Sequence, residues 1–373
     1  MKKLSFIFGT RPEAIKLAPL ILEFKKNTDF EVNVCVTAQH REMLDQVLEI
    51  FEIVPDVDLN LMQPNQTLSK LTAKVITSVD VYLENYQPDL IFVQGDTTTV
   101  FAVSLVAFYK KIRIAHVEAG LRTWNKYSPF PEEINRVLTS RLADFHFAPT
   151  ETSKENLLRE GINGKDIFIT GNTVIDALFL AKEKIENDFP AIPGLAPDIF
   201  ENGNKNVLIT GHRRENFGRG FEQICEAVAN LAQEFPDVNF IYPVHLNPNV
   251  QKPVNKYLSH QKNIYLINPL GYLPFVAVMY KSDIVLTDSG GVQEEAPSFG
   301  KPVLVMRENT ERPEAVTAGT VKLVGTDSEK IFSEVKTLLT NSAAYSRMAN
   351  AVNPYGDGLA SKRIVKIISE SLT

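Results

Sequence analysis

Cysteine is nearly missing from this chain of 373 residues, which holds only Cys35 and Cys225. The two are far apart, one in an apolar run and one in a predicted helix. They show no CxxC or zinc-like spacing, so both read as small core residues. Histidine is scarce too: the six present include no pair at metal-ligand spacing, so no structural or catalytic zinc, or other metal, is expected. An excess of positive charge is also lacking. With 39 Lys and Arg against 45 Asp and Glu the formal charge is -6, and no polycationic surface is available for a nucleic-acid backbone. No apolar run is long enough to span a bilayer. The N-terminal MKKLSFIFGTRPEA imitates a secretory signal only over residues 4–8, with Arg11 and Glu13 following at once. These absences lead to the expectation of a cytoplasmic protein without nucleic-acid or membrane partners. Hydrophobic residues at 44% and charged residues at 23% then place it among soluble globular proteins, and its length suggests two domains.

What is present is a regular alternation. Short apolar runs at residues 4–8, 31–37, 90–93, 113–117, 145–148 and 167–170 are separated by helical stretches, the pattern of a parallel sheet covered on both faces. A helix near 174–187 closes this first domain, residues 1–187. The Pro-, Gly- and Asn-rich FPAIPGLAPDIFENGNKN then breaks regular structure and marks a linker at 188–205. The alternation restarts at 207–210, 239–244, 264–267, 284–287, 303–306 and 321–324, giving a second domain over 206–357 and a terminal helix in 358–373. The expected class is α/β, with two Rossmann-like doubly wound parallel-sheet domains facing across a cleft at the carboxyl ends of their strands.

Polar residues gather at those strand ends. In IVLTDSGGVQEEAPSFGKPVLVM the Ser289-Gly290-Gly291 turn opens a helix, where backbone N–H groups favour a phosphate. Glu294 and Glu295 follow in what reads as the first helical turn, suited to ribose hydroxyls. A plain helix cap reads the same residues equally well. The first turn, FGTRPE, lacks the GxGxxG of dinucleotide-binding domains, which argues against NAD or FAD, so no cofactor is expected. Arg11 stands there at a helix start and suits a phosphate clamp.

Three carboxylates follow first-domain strands: Asp96 in VQGDTTTV, Glu118 in AHVEAGLRT and Glu132 in SPFPEEINR. Asp96 also reads as an N-cap, and Glu132 as a dipole partner or as the partner of Arg136 four residues on. Glu118, at the end of a buried strand, needs a partner or a substrate to be tolerated. Converging carboxylates can separate their pKa values and divide acid and base roles. In LITGHRRENFGRGF, His212 is followed by Arg213 and Arg214, whose like charge would depress its pKa until an anion arrives. It then becomes a candidate leaving-group acid. His245 in YPVHLNPN and Gln39 with His40 in VTAQHRE also follow strands, and RENTERPEAV offers Arg307, Thr310, Glu311 and Arg312 for a phosphate or a base edge. His116 and His146 fall inside predicted strands and read as satisfied core residues.

The blocks GTRPEAIKLAPL, QGDTTTV, HVEAGLRT, SPFPEEINR, TGHRREN and DSGGVQEEAPSFGKPVLVMR, in this order and spread along nearly the whole chain, resemble the non-hydrolysing bacterial UDP-N-acetylglucosamine 2-epimerases. That resemblance implies a fold like the GT-B glycosyltransferases, a terminal helix returning to the N-terminal domain, and a homodimer. It implies catalytic roles for Asp96, Glu118, Glu132 and His212. It puts UDP near Ser289, Gly290, Gly291 and Glu295, with Arg11 and Lys16 of the first motif and Arg213, His245 and Arg312 of the second domain also binding substrate. Gln39 falls in the region matching an allosteric site. The implied reaction interconverts UDP-N-acetylglucosamine and UDP-N-acetylmannosamine through elimination of UDP to a bound glycal, supplying bacterial surface polysaccharide synthesis. A GT-B glycosyltransferase would share the fold but need an acceptor pocket. A hydrolysing epimerase would release free N-acetylmannosamine, and a catalytically silent sensor would not need the carboxylates.

Overall fold

The apolar runs are short because each crosses a sheet that is covered on both faces. The computed structural model describes residues 1–37, 41–61 and 66–372, the side chains of 41 and 42 excepted. Gln39 and His40 therefore lie outside the described residues. Chain contacts divide it into two compact units, Met1–Phe179 with Tyr355–Thr373, and Leu180–Pro354.

In chain order the first unit contains β1 (Lys2–Phe8), α1 (Arg11–Lys25), β2 (Phe30–Val36), α2 (Arg41–Ile50), β3 (Val57–Asp58), α3 (Leu68–Tyr86), β4 (Leu90–Gln94), α4 (Thr98–Tyr109), β5 (Arg113–Val117), α5 (Glu132–Leu142), β6 (Phe145–Ala148), α6 (Glu151–Arg159) and β7 (Ile167–Ile169). Helix α7 (Thr173–Asn187) leads out of it. All strand pairs are parallel, in the order β3-β2-β1-β4-β5-β6-β7. The predicted runs coincide with strands to within a few residues. The sequence reading missed β3, a two-residue edge strand with no apolar run to announce it.

All five residues of β4 are buried, as a central parallel strand requires. Phe6 stacks on Phe92 with ring centroids 4.5 Å apart, and Phe24 tilts against both, filling the layer between sheet and α1. Each such ring contributes about 1.5–3 kcal/mol by leaving water.

The second unit holds β8 (Lys205–Thr210), α8 (Arg219–Glu234), β9 (Val238–Pro243), α9 (Pro248–Leu258), β10 (Ile264–Ile267), α10 (Tyr272–Lys281), β11 (Ile284–Thr287), α11 (Gly290–Glu295), β12 (Val303–Val305), α12 (Pro313–Ala318), β13 (Val321–Leu323), α13 (Ser328–Thr340) and α14 (Ser342–Ala349). Its sheet is also parallel, ordered β10-β9-β8-β11-β12-β13.

The last helix, α15 (Ala360–Leu372), belongs to the first unit and packs on α1. Asp176 of α7 fixes its start by accepting the N–H groups of Ala360 at 3.2 Å and Ser361 at 2.8 Å. Burial of this carboxyl raises its pKa against the pull of those donors.

Each sheet reverses its order once, between β1 and β4 and between β8 and β11. In open α/β sheets ligands collect at such switch points, beyond the carboxyl ends of the strands. The loops after β1, β4 and β5, and those after β8 and β11, are therefore where functional side chains belong.

Candidate active site

In the first unit the strand-end loops build a carboxylate network around Glu118. This residue follows β5 with φ of 64°, a left-handed conformation that a side chain rarely adopts and that commonly marks a functional constraint. Its side chain is only 5% exposed, which would be costly for a charge without partners. Lys16 of α1 reaches both oxygens, at 2.6 and 2.7 Å. Asn172 donates to Oε1 at 2.9 Å, and Gln94, at the end of β4, donates to Oε2. Lys16 is thus the counter-ion of Glu118 as well as a candidate substrate ligand. Gln94 and Asn172 were missed by sequence reasoning, although a polar residue closing or following a buried strand was a usable signal.

Asp96 does not cap α4. That cap is Thr97, whose hydroxyl accepts from the N–H of Val100. Asp96 instead takes a two-pronged grip from Arg136, with Nε at 2.8 Å and a terminal nitrogen at 2.6 Å from Oδ2. Arg136 also reaches Glu133 at 3.1 Å, so the expected pair with Glu132 is not formed. The i,i+4 rule pointed to Glu132, but the buried Glu133 is the structural acid of this helix start. It accepts the N–H groups of Thr123 and Trp124, each at 3.0 Å. Glu132 is left with Oε2 buried and without a hydrogen-bond partner among the described residues.

Arg11 opens α1 behind Thr10, and Glu13 completes a capping box there by accepting from Gly9 and Thr10. Burial raises the pKa of Glu13. Arg11 itself is half-buried and forms no ion pair among the described residues. His116 lies in β5 with Nε2 2.8 Å from the carbonyl of Gly95, so Nε2 carries the proton. Its Nδ1 has no hydrogen-bond partner among the described residues, and burial pushes the pKa down to about 3. His146, by contrast, has carbonyls against both ring nitrogens.

The second unit gathers cations. Asp288, fully buried directly after β11, accepts the N–H groups of His212 and Arg213 on Oδ2, each at 2.8 Å, which ties the loop after β8 to the switch point. The His212 ring stacks on His245 at 5.5 Å with planes 16° apart, and Nδ1 lies 3.5 Å from Asp288 Oδ1. The His212 pKa is lowered, as expected, but for a different reason. Burial is the largest cause, while Asp288 opposes it and the charges of His245 and Arg213 add to it only after that. Arg214 is not among the causes.

Helix α11 spans six residues, so Glu294 and Glu295 sit in its last turn and not its first. Ser289 occupies the N-cap position, but its side chain makes no capping hydrogen bond. Arg312 is held by Glu294 at 2.5 Å, and its guanidinium lies over Gly290, where an added Cβ would come within 2.7 Å of a terminal nitrogen. A cation therefore already stands at the helix start. Gly291 and Glu295 flank the same turn.

Two members of the 307–312 loop are committed elsewhere. Arg307 is tied to Glu215 at 2.5 Å and to Glu311 at 2.8 and 3.1 Å, which pulls the Glu311 carboxyl down to about 2. Thr310 donates to Gln293. Cys35 and Cys225 are fully buried, and burial raises both thiol pKa values, that of Cys225 to about 12. Among the described residues no group of His, Cys, Asp and Glu is arranged to hold a metal, and no helix is long and apolar enough to cross a membrane.

Known proteins with this chain's features form a consistent set. The family model described as UDP-N-acetylglucosamine 2-epimerase matches residues 22–369. The Escherichia coli K12 UDP-N-acetylglucosamine 2-epimerase is 56% identical, covering 99% of each chain. A Neisseria meningitidis UDP-GlcNAc 2-epimerase solved with UDP-GlcNAc superposes with a TM-score of 0.88 at 53% identity, over 99% of this chain and 100% of that one. A Staphylococcus aureus protein, MnaA, solved with UDP, gives 0.87 at 48% identity, over 100% and 97%.

Proposed function

Because this chain belongs to the UDP-N-acetylglucosamine 2-epimerase family, we propose that it interconverts UDP-N-acetylglucosamine and UDP-N-acetylmannosamine without hydrolysing either. Two observations, one in each unit taken by itself, support the reading: a carboxylate network around the buried Glu118 in the first and a helix start with Arg312 over it in the second. The first suits proton transfer and the second suits a diphosphate.

The proton at the second sugar carbon is not next to a carbonyl, so its removal must be coupled to departure of the leaving group. A carboxylate of the Asp96, Glu118 and Glu132 set takes that proton. The C–H electron pair forms the double bond of the glycal, and the bond from the first carbon to the diphosphate oxygen breaks with its electrons going to UDP. Return of UDP to the first carbon and of a proton to the opposite face of the second completes the inversion. Charge on UDP is then the quantity to stabilise. Arg11, Arg213, Arg312 and the N–H groups of Ser289, Gly290 and Gly291 address it, His212 donates a proton, His245 supports it, and Glu295 receives ribose hydroxyls. Lys16 supplies the counter-charge of Glu118. No redox cofactor takes part in these steps.

The reading also includes a homodimer in the cytoplasm, serving surface polysaccharide synthesis. Support for self-association comes from α4, whose TTVFAVSLVAFY is apolar on every side, a composition expected of a helix with no free face. Yet Phe108 and Tyr109 are 56% and 68% exposed, and Val81 of α3 and Leu138 of α5 are exposed as well. Gln39 remains a proposed allosteric position.

The test is proton NMR of the purified protein with UDP-N-acetylglucosamine in deuterated water. UDP-N-acetylmannosamine carrying deuterium at the second carbon supports the proposal. Free N-acetylmannosamine with UDP would identify a hydrolysing enzyme, and an unchanged sugar with UDP still bound would favour a transferase or a sensor.

A further inference from the structure

His212 is presented on a loop, with 44% of its side chain exposed, and its stack on His245 leaves the ring nitrogens to be set by hydrogen bonding. Asp288 beneath it is fully buried, and its two oxygens have different duties. Oδ2 is saturated by the backbone of His212 and Arg213, with Asn216 Nδ2 at 3.4 Å. Oδ1 is buried without a hydrogen-bond partner among the described residues, and His212 Nδ1 is 3.5 Å from it. A buried carboxylate oxygen left unpaired costs on the order of 1–3 kcal/mol, so the ring nitrogen has a strong reason to supply its hydrogen. Contacts of this kind are commonly long in the absence of substrate and shorten when it binds.

We infer that Asp288 is the positioning residue of His212. One oxygen anchors the loop backbone, and the other takes the Nδ1 hydrogen, so that Nε2 is the nitrogen that exchanges a proton with the substrate. A carboxylate behind a histidine fixes both tautomer and ring orientation, and it stabilises the imidazolium once formed. The charged and titratable groups acting on the ring are Asp288, His245 and Arg213. Asp288 is the acid among them, and it alone favours protonation. The stacked His245 covers one face, and its Nδ1 accepts from the N–H of Asn247 at 3.1 Å, so that nitrogen is not directed at His212. The inference rests on the proposed role of His212 for its functional meaning, though the pairing itself can be tested without turnover.

The first experiment is nitrogen-15 NMR of the His212 ring in the unaltered protein above its titration range. The expected neutral form carries its hydrogen on Nδ1, and a neutral form protonated on Nε2 overturns the inference. The second uses Asp288→Asn, which retains a carbonyl oxygen for the two backbone N–H groups. It should lower the His212 titration by at least about one pH unit, equivalent to a tenfold change in protonation. The basic limb of the kcat profile should move the same way, with UDP affinity within about twofold of the original. An unshifted His212 titration overturns the pairing.

A double-mutant cycle completes the test. If Asp288 acts through His212, Asp288→Asn costs less than about threefold in kcat when His212→Gln is already present. A full independent loss makes Asp288 merely structural. Undiminished turnover of His212→Gln alone would instead sink the proposed role of His212, while the ring titration would still decide whether Asp288 holds it.

Discussion

The two units repeat one strand order and set different charged groups on its strand ends. In the first, two cations are spent on acids while Arg11 forms no ion pair among the described residues: Lys16 faces both oxygens of Glu118, and Arg136 holds Asp96 and Glu133, so what the loops present is a hydrogen-bonded set of carboxylates. In the second, the acids are spent on cations: Glu294 holds Arg312, Glu311 and Glu215 hold Arg307, and Asp288 holds the His212 loop. The result there is a guanidinium over a helix start and an imidazole on a loop tied to Asp288. Architecture alone therefore does not set function. What differs is the set of side chains that the strand-end loops carry and hold in place by internal pairing.

The strongest way to break this contrast is Glu118→Gln. The change is nearly isosteric but removes the charge of the network, and we expect kcat to fall at least about a hundredfold, roughly 2.7 kcal/mol, with UDP affinity retained. Unaltered turnover would take Glu118 out of the chemistry and leave the first unit without its distinguishing role.

Next in size is a stability effect confined to the first unit. The pKa of His116 is held at about 3 by burial, whereas in an unfolded chain the imidazole titrates near its ordinary 6.5. Its contribution is fully present above pH 6.5. It is lost as the pH falls from there towards 3, because only the unfolded state takes up the proton, at about 1.4 kcal/mol per pH unit. Urea unfolding at pH 7 and pH 5 should show a loss of about 2 kcal/mol from this source. His116→Gln should remove most of that difference, and an equally steep loss in the variant would refute the assignment.

Gly290→Ala addresses the second unit. The new methyl group would meet the guanidinium of Arg312, which Glu294 prevents from retreating freely. UDP binding measured by calorimetry should weaken about tenfold, roughly 1.4 kcal/mol, while the sheet stays folded. Native affinity would show that Arg312 and this helix start do not hold the nucleotide. The smallest change is expected for Glu295→Ala, a severalfold weakening of UDP through lost ribose hydrogen bonds, of order 1 kcal/mol. Affinity equal to that of the parent would return Glu295 to the role of an ordinary end-of-helix acid.

The strands were legible because parallel strands buried on both faces must be continuously apolar, as β4 and β11 are. β3 escaped because a two-residue edge strand carries no such constraint. Polar residues at strand ends were legible as candidates, Glu118 and His212 among them. Their partners were not, because those come from distant positions. Asn172 lies 54 residues from Glu118 in sequence, and Asp288 76 from His212. Local rules also misassigned pairs: spacing favoured Glu132 with Arg136, and the turn favoured Asp96 as a cap, yet Arg136 serves Asp96 and Glu133.

The sequence by itself determined the alternation of buried strand and amphipathic helix, the repeat of that pattern after a Pro- and Gly-rich break, and the placement of charge at strand ends. These follow from periodicity and backbone preference, which act over a few residues. The tertiary structure alone decided which charges cancel and which remain. The energy of a buried ion depends on the atoms within hydrogen-bond reach, and the chain brings those atoms together only when the sheet that carries them is complete.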